Sequence, residues 1–251
     1  DGVCYVQGNY LYVIGGTNTV TTAGVQTTHY KFDPSSGTGS WSTMTAYATA
    51  RSSMAGWNFN GMVSYMGGRI SGGSGSNAND MYIVNTNNYT GGTETAIIVS
   101  GRGGMAYAGY AGENGTYVFL VGGASAFTAS AYFSLTSITF VTQASSFLVY
   151  TPPATTSGWF YGTYHPAFTG GTTTGIVFAS AAVSPYNGSS EQEPTLYVFG
   201  GIKNSPPVTI TDEVYATKAN GTTAGSNYTD GGWVAKTPMP RARFGHRSVT
   251  I

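Results

Sequence analysis

The sequence is poor in cysteine and in charged residues. Cys4 is the single cysteine among 251 residues, so no disulfide can form within the chain. We interpret Cys4 as a buried free thiol, which packs like a small apolar residue, or as half of a bond to sequence outside this chain. Lys, Arg, Asp and Glu together make up only 8% of the residues, against about 25% in an average soluble domain.

Neither sign of charge is in excess, because ten basic residues balance ten acidic ones. Nucleic acid and anionic membrane surfaces are therefore not expected as partners, since phosphate binding needs clustered Lys and Arg. No segment approaches the roughly 18 apolar residues of a membrane span. The chain begins at Asp1 with neither Met nor a signal peptide, so we expect a removed signal or an excerpt of a longer protein.

Hydroxyl residues, glycine and tyrosine are abundant instead. The chain holds 61 Ser and Thr, 37 Gly and 19 Tyr, and 41% of its residues are apolar. This composition favours an all-β protein that is secreted or displayed at the cell surface, with a core that needs no disulfide. Five acceptor sequons predict N-glycosylation, and they begin at Asn88, Asn114, Asn187, Asn220 and Asn227.

A short strand that ends in Gly-Gly occurs four times, at residues 10–16, 62–68, 117–123 and 195–201. The first glycines are 52, 55 and 78 residues apart, and the two shorter intervals are near the period of about 50 of kelch repeats. We expect positive φ at each doubled glycine, where a side chain would clash. Each unit adds further strands; the third strands are predicted at 29–33, 80–84, 131–135 and 212–216, and Trp41 and Trp233 mark the outer ones.

These features resemble the kelch family, whose repeats carry a doubled glycine, a downstream Tyr and an outer Trp. The segment Pro-Met-Pro-Arg-Ala-Arg-Phe-Gly-His at residues 238–246 is the most specific match. The resemblance implies a single all-β, kelch-like β-propeller domain over residues 1–251, with four full blades plus one strand of a fifth, which either continues into a larger ring or closes the first blade. The predicted blades are 1–50, 51–102, 103–143 and 174–240, with an insertion at 144–173 and the fifth-blade strand at 244–251.

No catalytic constellation is recognised, so the expected protein is a non-catalytic secreted glycoprotein. It would act as a structural binding or assembly module of an extracellular matrix, coat or filament, with no cofactor. Its partners would be other extracellular proteins, copies of itself, or glycans.

The alternatives are a carbohydrate-binding lectin and a copper radical oxidase, since the galactose oxidase type also has kelch-like blades. The pair Tyr164–His165 and Cys4 resemble elements of that copper site. Arg51, however, is followed by Ser52 and Ser53 where the family has its cross-linked Tyr, so no metal site is predicted.

The predicted contact surface is an aromatic cluster in the insertion, made of Trp159, Phe160, Tyr161 and Tyr164. In a four-stranded blade, the loops joining strands one to two and three to four lie on one face, and all five sequons map to such loops. We therefore expect partners at the opposite face, where the cluster is predicted to lie, because exposed aromatics among small polar residues suit a contact surface.

Overall fold

The chain folds as an all-β protein built from small antiparallel sheets. The computed structural model describes residues 2–18, 24–35, 37–46, 49–59, 62–70, 81–85, 90–94, 101–112, 115–127, 138–140, 147–150, 159–161, 166–168, 175–184, 194–204, 208–218 and 232–248. In these ranges there is no α-helix, and one 3-10 turn lies at Pro166–Phe168. None of the described residues forms a helix long and apolar enough to span a membrane.

The chain divides into two compact units. The first unit comprises Asp1–Gly103 and Ser125–Ser137, and the second comprises Gly104–Ala124 and Ile138–Ile251. Two of the short strands are β13 (Ala124–Phe127) and β14 (Ile138–Phe140).

The first sheet of the first unit is a four-stranded antiparallel meander. Its strands, in the order 1-2-3-4, are β1 (Val3–Gln7), β2 (Tyr10–Ile14), β3 (His29–Asp33) and β4 (Ser40–Thr43). Gln7 pairs with Tyr10, so Gly8 and Asn9 form a two-residue hairpin loop, and the φ of 57° at Gly8 is one that glycine adopts readily.

The second sheet of the first unit repeats this order with β6 (Ala55–Phe59), β7 (Met62–Met66), β9 (Met81–Asn85) and β10 (Thr90–Glu94). Two very short strands, β5 (Arg51–Ser52) and β8 (Arg69–Ile70), pair with each other beside it. The predicted third strands at 29–33 and 80–84 thus correspond to β3 and β9.

The core of the first unit lies where β1 packs against β6. Val3 and Tyr5 point inward while Cys4 and Val6 point out, which is the two-residue alternation of a strand. The predicted burial of Cys4 is therefore wrong, because its side chain falls on the exposed face of β1. Gly56 allows the close approach of the two strands, since a Cβ there would overlap the Val3 side chain.

The third sheet, in the second unit, also has four strands, but they are not the predicted ones. The sheet order is β11 (Ala106–Gly112), β12 (Gly115–Val121), β15 (Phe147–Tyr150) and β16 (Trp159–Tyr161). The sheet thus spans 106–161 rather than 103–143. The predicted third strand at 131–135 lies outside the described residues.

The interpretation of 144–173 as an insertion is wrong for the part of that segment that forms β15 and β16. The physical reason is the burial of β12, whose residues 117–121 are all buried and need apolar neighbours on both sides. Residues Phe147–Tyr150 provide a continuous apolar run, and they pair with Val118–Val121.

The fourth sheet combines β18 (Ser180–Ser184), β19 (Thr195–Phe199), β22 (Val214–Lys218) and β23 (Val234–Lys236), again in chain order. A separate three-stranded sheet contains β17 (Gly175–Val177), β20 (Ile202–Asn204) and β21 (Val208–Ile210). The core of the second unit is aliphatic and aromatic, with Phe119, Phe147 and Leu196 at its centre.

The predicted strand at 244–251 is wrong over its described part, because residues 244–248 form no strand. They form single hydrogen bonds to residues 178–181, before and at the start of β18, instead. The Gly245 N–H donates to the Phe178 carbonyl at 2.8 Å, and the Ser248 hydroxyl donates to the Ala181 carbonyl at 2.6 Å. Residues 249–251 lie outside the described part of the chain.

Candidate functional site

The aromatic cluster predicted as a contact surface lies at the outer edge of the third sheet. Residues Trp159–Tyr161 form β16, which pairs with β15 on one side, with Phe160 opposite Val149. Among the described residues, strand β16 is last in the sheet order, and no described strand pairs with its other side. Tyr164 lies outside the described residues. The cluster is therefore part of a sheet, not of a loop at the opposite face as predicted.

All five sequon asparagines, Asn88, Asn114, Asn187, Asn220 and Asn227, lie outside the described residues, but the strands on either side of them are described. Asn88 falls between β9 and β10, and Asn114 between β11 and β12. Asn187 falls between β18 and β19, whereas Asn220 and Asn227 fall between β22 and β23. Each sequon thus follows the first or the third strand of its sheet, as the sequence predicted. The doubled glycines follow the second strand, at the other end of the same antiparallel sheet.

Three aromatic side chains form the polar part of the first unit's core. Tyr5 and Tyr12 stack with ring centroids 4.8 Å apart, and the Tyr5 hydroxyl lies 3.1 Å from Nε2 of His29. Burial lowers the pKa of His29, although a hydrogen bond to the backbone of Thr45 opposes this shift. His29 is therefore a neutral core residue at pH 7 rather than an exposed base.

The residues considered for copper binding are not brought together by the described residues. Cys4 is exposed on β1, where partial burial still raises the pKa of its thiol, and His29 points into the core beside Tyr5. Tyr164 and His165 lie outside the described part of the chain. Within the described ranges, no three His, Cys, Asp or Glu side chains are grouped so that they could hold a metal ion.

The doubled glycines form one recurring site in both units. All eight glycines have φ between 57° and 105°, which confirms the predicted backbone conformation. The N–H of the second glycine donates to the carbonyl of a later segment: Gly16 to Arg51 at 2.8 Å, Gly68 to Arg102 at 2.8 Å, Gly123 to Ile176 at 2.9 Å and Gly201 to Arg243 at 2.7 Å. A Cβ on Gly68 would lie 2.7 Å from the Ser52 carbonyl oxygen, so the site requires glycine.

Three arginines surround the doubled glycine of the second sheet, and all three are buried. Arg51, Arg69 and Arg102 are 2%, 1% and 0% exposed. The Nη1 of Arg51 donates to the Gly67 carbonyl at 3.0 Å, and its guanidinium lies 5.8 Å from the centre of the Tyr65 ring. Such burial is rare for arginine.

Sequence reasoning missed this arginine cluster. The motif of arginine at a repeat junction was visible at Arg51 and Arg102, but no sequence pattern marked their burial. Arg69 directly follows Gly68, and the doubled glycine turns the chain back toward β5 and Arg102. This position of Arg69 was the sequence signal that could have grouped it with Arg51 and Arg102.

The corresponding basic residues of the second unit are placed differently. Lys203, two residues after Gly201, forms a half-exposed ion pair with Glu213 at 2.5 Å. Arg243, whose carbonyl accepts from Gly201, has an exposed side chain.

Comparisons with known proteins show a likeness of fold only. No protein-family model matches the sequence, and no curated protein matches it. Among solved structures, 135 chains match in fold, and one of them is the structure of YjhT, with a TM-score of 0.62 and 14% sequence identity. The alignment covers 97% of this chain and 66% of YjhT, so the chain spans just under two thirds of that protein's length.

Proposed function

We propose that the chain is part of a kelch-like β-propeller that serves as a non-catalytic binding or assembly module of a secreted glycoprotein. The observation that carries the proposal is the repeated sheet. Four antiparallel sheets each run in chain order, and the second strand of each ends in a doubled glycine. Consecutive four-stranded meanders of this kind are the unit of a propeller blade.

The hydrogen bonds of the doubled glycines support the kelch assignment. In the first three repeats, the second glycine binds the carbonyl of a residue that lies in or just before the next segment of sheet, whereas in the fourth it binds Arg243, which no strand follows within the described residues. Such a bond ties one repeat to the start of the following one, as repeat architectures require. It also explains why the motif Met239 to His246 follows the fourth sheet, since Arg243 provides the last of these carbonyls.

The positions of the sequons support a glycosylated sheet end. In each sheet that carries a sequon, the connection concerned leaves the end opposite to the doubled glycine. A bulky glycan hinders close packing where it is attached, so partners would contact the doubled-glycine end or the outer edge of a sheet. Secretion, at the cell surface or in the extracellular matrix, follows from glycosylation in this proposal.

The contact surface in this proposal is strand β16. An edge strand has backbone N–H and C=O groups that can pair with a strand of another molecule. Tryptophan and tyrosine are enriched among the residues that dominate interface energies, and β16 consists of three consecutive aromatic residues. We propose that copies of the chain assemble through this strand.

Sedimentation of the purified, glycosylated protein over a concentration series tests the assembly. We expect reversible self-association, and we expect the double substitution Trp159→Ser with Tyr161→Ser to weaken it at least about tenfold, the effect of losing a hot-spot residue. Val234→Ser is the matched control, because Val234 is exposed on the edge strand β23 of the fourth sheet. A protein that stays monomeric at its highest soluble concentration would contradict assembly through β16.

A further inference from the structure

The arginines beside Gly67 and Gly68 meet at one point of the first unit. Arg51 donates through its side chain to the Gly67 carbonyl, and the Arg102 carbonyl accepts from the Gly68 N–H. Arg69 follows directly in the chain, and its Cα lies opposite Ser52 in the β5–β8 pair. The backbones of three arginines are therefore brought to a single turn, and all three side chains are buried.

Within this cluster, the positive charge of the Arg69 side chain has no described group that neutralises it. This side chain is 1% exposed, and its Nε, Nη1 and Nη2 have no hydrogen-bond acceptor among the described residues. A guanidinium stays protonated in proteins. A buried charge without a partner costs several kcal/mol, so an acceptor group is needed here.

The described carboxylate of the first unit does not fill this role. Asp33 is exposed at the end of β3, where it accepts from the Ser35 N–H at 2.9 Å. Asp1 and Asp80 lie outside the described residues, and the side chain of Glu94 is also not described. Asp80 directly precedes Met81, which pairs with Met66 next to Gly67, so Asp80 is the internal candidate that an experiment must separate from a bound ligand.

We propose that Arg51, Arg69 and Arg102 form a binding site for a small oxyanion, with the carboxylate of a small organic acid as the class that fits best. The flat guanidinium fork of Arg69 matches the two oxygens of a carboxylate in a bidentate pair. The burial of all three side chains restricts the site to a small ligand. The site goes beyond the proposed assembly function, because it lies in the first unit while β16 belongs to the second.

Thermal unfolding of the full chain at constant ionic strength tests the site, with sodium chloride replaced stepwise by sodium acetate or sodium sulfate. We expect a saturable rise in Tm with acetate, of roughly 5–10 °C at about a hundred times the Kd. A similar saturable rise with sulfate would widen the ligand class to oxyanions in general, whereas its absence would restrict the class to carboxylates. Both results support the site.

Arg69→Met is the test variant, and Lys203→Met is its matched control in the second unit. Sulfate also raises the Tm of proteins nonspecifically, because it is excluded from their surface. That rise does not saturate with sulfate concentration, and it should remain in both variants. We expect the saturable part to disappear in Arg69→Met and to remain in Lys203→Met. If Arg69→Met does not fold, Arg69→Lys replaces it, because lysine keeps the charge but lacks the bidentate fork; ¹³C-labelled acetate should then broaden less with Arg69→Lys than with the unmodified protein.

Two outcomes would overturn the proposal. One is a Tm of the unmodified protein that does not depend on acetate or sulfate in a saturable way, together with a large loss of stability in Asp80→Asn. That pair of results would place the counter-charge within the chain. The other is a saturable rise that persists unchanged in Arg69→Met, which would place the anion elsewhere.

Discussion

In the first unit, the basic side chains beside the doubled glycine of the second sheet are buried, whereas those beside the doubled glycine of the fourth sheet reach the surface. Arg102 and Arg243 provide the same carbonyl to the second glycine of their turns, yet Arg102 is 0% exposed and Arg243 is exposed. Arg69 is buried without a described acceptor, but Lys203 pairs with Glu213. The same doubled-glycine turn therefore occurs beside buried charged side chains in one unit and beside exposed ones in the other. The surrounding side chains determine which arrangement forms.

The cores of the two units differ in the same way. The second unit buries a continuous aliphatic and aromatic cluster, in which Phe119 and Phe147 stack with centroids 6.2 Å apart. The first unit buries Tyr5, Tyr12 and His29 together with its arginines. We infer that the second unit owes its stability mainly to burial of apolar surface, while the first also buries polar and charged groups, several atoms of which have no described hydrogen-bond partner.

The largest expected difference in unfolding free energy is between truncation of the buried Arg102 and truncation of its exposed counterpart, Arg243. Arg102→Ala should lower the free energy of unfolding by about 4 kcal/mol, because truncation of a fully buried long side chain leaves a cavity. Arg243→Ala should change it by less than about 0.5 kcal/mol, as at other exposed sites. Urea unfolding of both variants measures the difference, and equal losses would contradict the contrast between the units.

The second prediction concerns the doubled-glycine turn, which both units contain. The loss of stability should therefore be the same in both units. Gly68→Ala and Gly122→Ala should each cost about 3 kcal/mol, since a methyl group at positive φ would meet a backbone carbonyl, that of Ser52 or of Ile176. Gly37→Ala is the control: Gly37 has a φ of 55° and open space around it, so only the conformational cost of about 1 kcal/mol remains. Urea unfolding that gave the control the same loss would argue against a steric role for these carbonyls.

A smaller effect is expected at the ion pair of the second unit. Lys203→Met should cost at most about 1 kcal/mol, because a half-exposed ion pair gains little in water. The loss should shrink further in 1 M salt, where charges are screened within about 3 Å. A loss that is larger and independent of salt would mean that Lys203 is as important to its turn as the arginines are to theirs.

The smallest effect concerns the pH dependence of the first unit. Burial lowers the folded-state pKa of His29 below the ordinary histidine value of 6.5, so the unfolded chain binds more protons than the folded one near and below that pH. The free energy of unfolding should therefore fall as the pH drops from 7 through 6.5 towards the folded-state pKa. Urea titrations at a series of pH values should show a flatter dependence for His29→Gln than for the unmodified protein.

His246 of the second unit sharpens this comparison. Burial and the charges of Arg243 and Arg247 also lower its pKa, but its side chain is only half-buried. His246→Gln should therefore flatten the pH dependence less than His29→Gln does. A greater flattening with His246→Gln would contradict the assignment of the main titrating core residue to the first unit.

The sequence predicted the repeated part of the fold because local signals mark it. Each apolar run that ends in Gly-Gly became a second strand, and the hairpin at Gly8 followed from its turn residues. The same local signals did not identify the third strand of the third sheet, which follows β13 in the chain. Residues 131–135 and 147–150 are both short apolar runs, and only pairing with the buried strand β12 distinguishes the second of them. That is a tertiary effect, which strand propensity does not contain.

The candidate sites were less predictable than the fold. Cys4 lies in a run of apolar residues, Val3 to Val6, so no polar neighbour showed which face of the strand was outward. The burial of Arg69 depends on how the turn at Gly68 packs against β5, which is a contact between segments distant in the sequence. The aromatic residues of β16 were recognised, but their place at a sheet edge required the pairing with β15.

The central proposal is that the protein is non-catalytic, and the covalent state of Cys4 tests this proposal most directly. The protein should be purified after growth with copper, freed of glycans, and analysed by intact mass and metal content. We expect a deglycosylated protein that has not lost two hydrogen atoms, a thiol at Cys4 that reacts with a maleimide, and far less than one copper per protein. Stoichiometric copper, with a loss of two hydrogen atoms mapped to a Cys4–Tyr thioether, would contradict the account and identify an oxidase.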